Sequence, residues 1–169
     1  LFEYYPVQDH YDAQGDELGH VPYTPAFFTA VATMVARRYH ALKRPPCKVI
    51  ALDCDHTLWA GICGEDGPNG IEIDPPRRAL QEFMRRQLDA GRLLCLCSKN
   101  NEADVTAVFE RAKNMPLQPE HFVTRQINWN PKSANLRALA EELHLGLDSF
   151  VLVDDNPMEC AEVAANCPD

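Results

Sequence analysis

Short apolar runs alternate with stretches of helical period over most of the chain. Runs near 48–53, 93–97, 121–125 and 149–153 have strand length, and helical patterns cover 75–90, 101–113, 132–144 and 157–166. That alternation predicts an α/β fold, a doubly wound parallel sheet with helices on both faces. Ahead of it, Thr24 and Pro25 form a helix start, and Phe28, Val31, Val35, Tyr39 and Leu42 recur at helical spacing. An amphipathic helix over 25–43 is expected, ended by Pro45 and Pro46. Residues 1–20 show no clear period. The chain therefore reads as an N-terminal segment, 1–46, followed by an α/β core, 47–169. Between the first strand and the first core helix, residues 59–74 hold Gly61, Gly64, Gly67 and Gly70 and a strand-like Ile71-Glu72-Ile73. This predicts a small β-hairpin flap, and no other insertion is long enough for a large cap domain.

In such sheets ligands bind beyond the carboxyl ends of the strands, and reactive side chains gather there in this sequence. The first apolar run ends in Asp53-Cys54-Asp55-His56-Thr57. Carboxylates spaced i, i+2 on a strand project to one side, where their charges repel unless neutralised. A divalent cation with hard oxygen preferences, such as Mg²⁺, does this. One carboxylate can then attack phosphorus while the other moves a proton. The thiol of Cys54 has two readings: an acyl carrier as a thioester, or a core residue that strict alternation points away from both aspartates.

The run near 93–97 leads into Ser98-Lys99-Asn100, a hydroxyl and free amides at a strand-to-helix turn. Such a turn suits phosphate oxygens, although Ser98 could also serve as a helix cap. Lys132 stands in the first turn of a helix, where positive charge is locally unfavourable unless an anion sits nearby. A solvated lysine is the alternative. The last run ends in Asp154-Asp155, a second acidic pair able to complete an oxygen cage.

These pieces, in this order, resemble the haloacid dehalogenase superfamily of phosphotransferases, over residues 47–169. The resemblance implies a Rossmann-like core with Asp53 as nucleophile and Asp55 as acid/base. Ser98 and Lys132, with Lys99 and Asn100 beside them, would hold the phosphoryl group. The metal would be Mg²⁺, held by Asp53, Asp154 and the backbone carbonyl of Asp55, with Asp155 steadying the ligands. Residues 53–67, 97–105 and 128–133 further resemble the FkbH-like branch of that superfamily. Its members take a glyceryl unit from 1,3-bisphosphoglycerate, lose phosphate, and load the acyl group onto an acyl carrier protein of polyketide assembly lines. That resemblance implies a small three-carbon phosphorylated substrate, a phosphopantetheine thiol as acceptor, and Cys54 as the acyl carrier. His56 and Ala60 depart from the branch, which usually has Asn and Gly there. Two other functions compete: a simple Mg²⁺ phosphatase in which Cys54 is inert, and a non-catalytic docking module of a synthase.

Composition narrows the classes. A net charge of −9 speaks against nucleic acid as a general partner. No apolar run approaches the ~18 residues that span a bilayer, and no signal peptide is visible. Seven cysteines, most in or beside strands, read as reduced thiols of a cytoplasmic enzyme. The start at Leu1 and the stop at Asp169, where a fifth strand is expected, read as a piece of a longer chain. Basic residues cluster at Arg37–Arg44 and again at Arg77, Arg78, Arg85 and Arg86. The first cluster is either dipole complementation with a solvated face, or a docking patch for an acidic carrier protein.

Overall fold

A computed structural model describes residues 5–43, 46–112 and 114–168. Contacts divide the chain into two units, with the boundary between residues 45 and 46. The first unit holds α1 (Ala13–Gly19) and α2 (Pro25–Lys43). Helix α1 falls where no period was visible. Its seven residues are capped by Asp12, whose side chain accepts from Gly15 N at 3.0 Å, and it ends at a left-handed His20. Local capping makes this short helix, so its sequence need not be amphipathic. Helix α2 has the expected start, with Phe27 N donating to Thr24 Oγ1. Of the face read as amphipathic, Phe28, Val35, Tyr39 and Leu42 are exposed.

The second unit runs β1 (Val49–Leu52), α3 (Cys63–Gly70), α4 (Pro75–Asp89), β2 (Leu93–Ser98), α5 (Glu102–Arg111), β3 (Phe122–Ile127), α6 (Lys132–Leu143), β4 (Phe150–Val153) and α7 (Pro157–Asn166). The strands form one parallel sheet in the order β3-β2-β1-β4. Strands buried on both faces need apolar residues at every position, and β1 is buried throughout. Alternation then sorts the sheet into two cores. Ile50, Leu52, Leu94 and Leu96 pack with Met84 of α4 and with Val105, Val108 and Phe109 of α5. Val49, Ala51, Cys95 and Cys97 pack with Leu136 and Leu139 of α6 and with Val163 of α7. This is the doubly wound α/β architecture expected from the pattern.

The flap differs from expectation in one respect. Its ends pair as an antiparallel bridge between Ala60 and Glu72, through hydrogen bonds of 2.8 and 2.9 Å. Its middle is helical: α3, interrupted at Gly67 with φ 67°. The reason lies in the first amides of the excursion. Ile62 N donates to Asp66 Oδ2 and Cys63 N to Asp55 Oδ1, so acceptors that favour a helical start occupy the donors a longer hairpin needs. There is no large cap among the described residues. No helix among them is long and apolar enough to cross a membrane.

Candidate active site

Because the four strands run parallel, their carboxyl ends lie along one edge of the sheet. Asp53 follows β1, Ser98 ends β2, Lys132 opens α6 after β3, and Asp154 follows β4. Lys132 is 3 % exposed. Its Nζ donates to Asp53 Oδ1 at 2.6 Å and also to Asp154 Oδ2. One ammonium thus sits between two carboxylates at the ends of the neighbouring strands β1 and β4. Burial alone would lower the Lys132 pKa, but Asp53 and Asp154 more than offset it, and the pKa lies above its ordinary value. Burial raises Asp53 above the usual carboxylate range against the pull of Lys132, and the Asp154 charge adds to the rise. The pocket holds more negative charge than Lys132 can neutralise.

A further cation would remove that imbalance. Carboxylate oxygens of Asp53, Asp154 and Asp155 lie within 4.8 Å of one another, a hard-oxygen set that suits a divalent ion. Asp155 therefore joins the cluster directly, where it was expected only behind the ligands. Thr57 holds it there: its Oγ1 accepts from Asp155 N at 3.1 Å and donates to Asp155 Oδ1 at 3.4 Å. The cluster includes no side-chain oxygen of Asp55.

The Asp55 carboxylate is instead held by three donors. Oδ1 accepts from Trp59 Nε1 at 2.8 Å and Cys63 N at 3.0 Å, and Oδ2 from Asn100 Nδ2 at 3.0 Å. Trp59 is fully buried, with its ring edge-on to Phe109, so its N–H is fixed by core packing. Asn100 also donates to Ser98 Oγ at 3.1 Å, and its carbonyl oxygen meets the Cys63 thiol. Asn100 thus orients the acid/base candidate, and its side chain has no group left for phosphate. Lys99 is likewise engaged, donating to Glu159 Oε1 of α7 at 2.7 Å. Ser98 is 1 % exposed and borders the cleft with Asp53, Asp55, Lys132 and Asp154. That cleft has a volume of ≈ 340 Å³, and Ile62, Glu65 and Trp129 line it further out. An apolar depression of ≈ 310 Å³ between α5 and β3 contains none of the motif carboxylates and no lysine.

Cys54 corrects an expectation. The strand's alternation continues past β1, so its fully buried side chain joins the core of Leu52, Leu58 and Trp59 and does not line the cleft. Burial, then the neighbouring Asp53 charge, pushes the thiol well above its ordinary pKa, the reverse of an activated thiolate. Cys63 is pushed up to about 12 for the same first reason.

No protein-family model matches the chain, and no curated protein does either. Solved structures do. The N-terminal part of protein BF1531 from Bacteroides fragilis, containing a phosphatase domain and complexed with Mg, superposes with a TM-score of 0.80 at 27 % identity. The match covers 94 % of this chain and 44 % of that one, so the chain spans less than half of that structure. A protein from Mesorhizobium loti described as a HAD-like phosphatase matches with a TM-score of 0.53 at 16 % identity, over 73 % of this chain and 70 % of that one. This second likeness concerns the fold. The core has the haloacid dehalogenase-like fold. In this haloacid dehalogenase-like core, the motif order read from the sequence coincides with side chains that meet at one strand edge. Sequence reasoning missed Thr57, Trp59, Glu159 and the positioning role of Asn100. The Thr of the first motif was the available signal for Thr57, while the others depend on contacts between distant segments.

Proposed function

We propose that the chain is the Mg²⁺-dependent phosphoryl-transfer core of an enzyme in which Asp53 attacks phosphorus. One observation carries this reading: Lys132 bridges Asp53 and Asp154 at the floor of a cleft bordered by Ser98. Nucleophile, phosphate-binding cation and metal-binding carboxylate are thereby held together. The carboxylates of Asp53, Asp154 and Asp155 fit Mg²⁺, and the BF1531 structure, with its phosphatase domain and Mg, supports the assignment. When bound, the ion supplies positive charge against the carboxylates and the phosphoryl oxygens. An oxygen of Asp53 forms the bond to phosphorus, the leaving oxygen departs with a proton from Asp55, and an aspartyl-phosphate results. Water then attacks that phosphorus, gives its proton to Asp55, and releases phosphate and free Asp53. Lys132 and Ser98 stabilise the charge on the transferring group.

The finer reading follows the FkbH-like resemblance. The substrate is then 1,3-bisphosphoglycerate, and the partner is an acyl carrier protein. Because Cys54 lies in the core, the carrier's phosphopantetheine thiol attacks the acyl carbon directly, a thioester C–S bond forms, and the acyl phosphate leaves. Asp53 removes the remaining phosphate. The absence of a large cap among the described residues supports access by a macromolecular partner. The seven free cysteines support a reducing, cytoplasmic setting. Burial of Cys54 also favours a second reading, a phosphatase without acyl transfer.

Intact-mass analysis after incubation with Mg²⁺, 1,3-bisphosphoglycerate and carrier protein separates the readings. A glyceryl adduct on the carrier supports transfer, and phosphate release alone supports the phosphatase. If neither occurs, and Asp53→Asn behaves as the parent does, the chain is a docking module and the proposal fails.

A further inference from the structure

The turn that carries both candidate catalytic carboxylates contains an unfavourable backbone conformation. His56, between Asp55 and Thr57, has φ 56°, in the left-handed region that a side chain disfavours. Its carbonyl oxygen accepts from Arg77 Nε at 3.2 Å and from Arg77 Nη2 at 3.1 Å. The remaining guanidinium nitrogen, Nη1, is paired with Asp74 Oδ2 at 2.6 Å. Asp74 in turn caps α4, accepting from Arg77 N at 3.0 Å. The fork is thus anchored at its own helix start and grips a single carbonyl with two donors.

We propose that Arg77 is the positioning residue of the 53–57 turn, holding His56 in its left-handed conformation and so placing Asp55 and Thr57. The catalytic importance of this turn rests on the phosphoryl-transfer reading, whereas the grip of Arg77 on His56 does not. The peptide that begins with the His56 carbonyl continues into Thr57 N, which donates to Cys54 O at 3.3 Å, as Leu58 N does at 2.8 Å. Orienting that peptide orients Thr57, whose hydroxyl grips Asp155. On the other side of His56, the Asp55 carboxylate must meet three fixed donors from Trp59, Cys63 and Asn100. A turn relaxed toward negative φ would move both neighbours at once. Strained residues persist where surrounding contacts over-determine them, and the two-pronged guanidinium contact supplies that constraint here. Arg77 itself neither lines the cleft nor belongs to the cluster of Asp53, Asp154 and Asp155.

The test uses the fact that glycine adopts positive φ without a clamp. Four proteins are compared: the parent, Arg77→Ala, His56→Gly and the double variant. Hydrolysis of p-nitrophenyl phosphate with saturating Mg²⁺ gives kcat and KM, and hydrogen exchange of the Thr57 and Leu58 amides reports the turn directly. Arg77→Ala should lower kcat about tenfold with little change in KM, and should speed exchange of both amides. In the His56→Gly background the same substitution should cost less than about twofold and leave exchange nearly unchanged. Arg77→Lys, which keeps the charge and stem but loses the fork, should show the same pattern in smaller measure and guards against a variant that does not fold. Equal losses in both backgrounds, or unchanged exchange in Arg77→Ala, overturn the proposal. If the parent hydrolyses nothing, the phosphoryl-transfer reading fails, and the exchange data alone decide the role of Arg77.

Discussion

Lys132 reaches Asp53 across 79 residues of sequence, with its ammonium 2.6 Å from Asp53 Oδ1 and both side chains nearly closed to solvent. The same nitrogen touches Asp154. A buried ion pair of this kind is weak evidence for stability, because desolvation consumes much of the attraction. Its value here is placement: it holds a cation beside the carboxylate that, in the proposed mechanism, attacks a phosphoryl group.

Lys132→Ala should therefore reduce kcat on the order of 100-fold or more, about 3 kcal/mol of transition-state stabilisation. Steady-state kinetics check this. A change confined to KM would make Lys132 a ground-state binding residue instead. The variant also leaves the carboxylates of Asp53 and Asp154 without their partner, so Mg²⁺ should raise its melting temperature more than it raises that of the parent.

Mg²⁺ should stabilise the parent by about 2.7 kcal/mol at 100-fold excess over its dissociation constant, and chelation should reverse the gain. Asp154→Asn should abolish this response and the hydrolytic activity while keeping the parent's circular dichroism spectrum. Full activity of Asp154→Asn, or of the parent in excess chelator, would remove the metal from the mechanism.

Helix α6, which carries Lys132, has no side-chain cap of its own. Glu162 of α7 supplies one, accepting from Ser133 Oγ at 2.5 Å and from Ser133 N at 3.1 Å. The Ser133 hydroxyl is the main cause that holds the Glu162 carboxyl below its ordinary pKa of 4.5. The folded state thus binds fewer protons than the unfolded state, so this contribution is present above the ordinary pKa and is lost as pH falls through the folded one. Glu162→Gln should cost about 1 kcal/mol near neutral pH, as loss of a helix cap does. In denaturant melts the difference from the parent should shrink as pH drops below 4.5.

Cys54→Ala should keep phosphate hydrolysis and, on the finer reading, carrier loading at the parent's rate, with a stability loss of about 1 kcal/mol from the small cavity. In the native protein, iodoacetamide should modify exposed Cys160 long before Cys54. A glyceryl thioester mapped to the Cys54 peptide would show that the thiol leaves the core during turnover, and direct attack by the carrier would then be wrong.

Much of the site was legible because its signals are local. A buried strand, the charges at its end and the helix start after it are written in consecutive residues. The alternation of Ile50 and Leu52 with Val49 and Ala51, and the placement of Asp53, Ser98, Lys132 and Asp154 at element ends, needed only period and length. The same local rule also pointed Cys54 into the core, where the structure has it. What the sequence could not contain is which ends meet. That depends on the strand order β3-β2-β1-β4, which alone puts Lys132 between Asp53 and Asp154 and brings Asn100 to Asp55. The helical middle of the flap was hidden for the same reason, since its first amides are taken up by Asp66 and by Asp55 from the preceding turn. Asp155 enters the acidic cluster with Thr57 gripping it from 98 residues away. Chain-distant hydrogen bonds have no period and leave no run of residues to read, so only the folded geometry decides them.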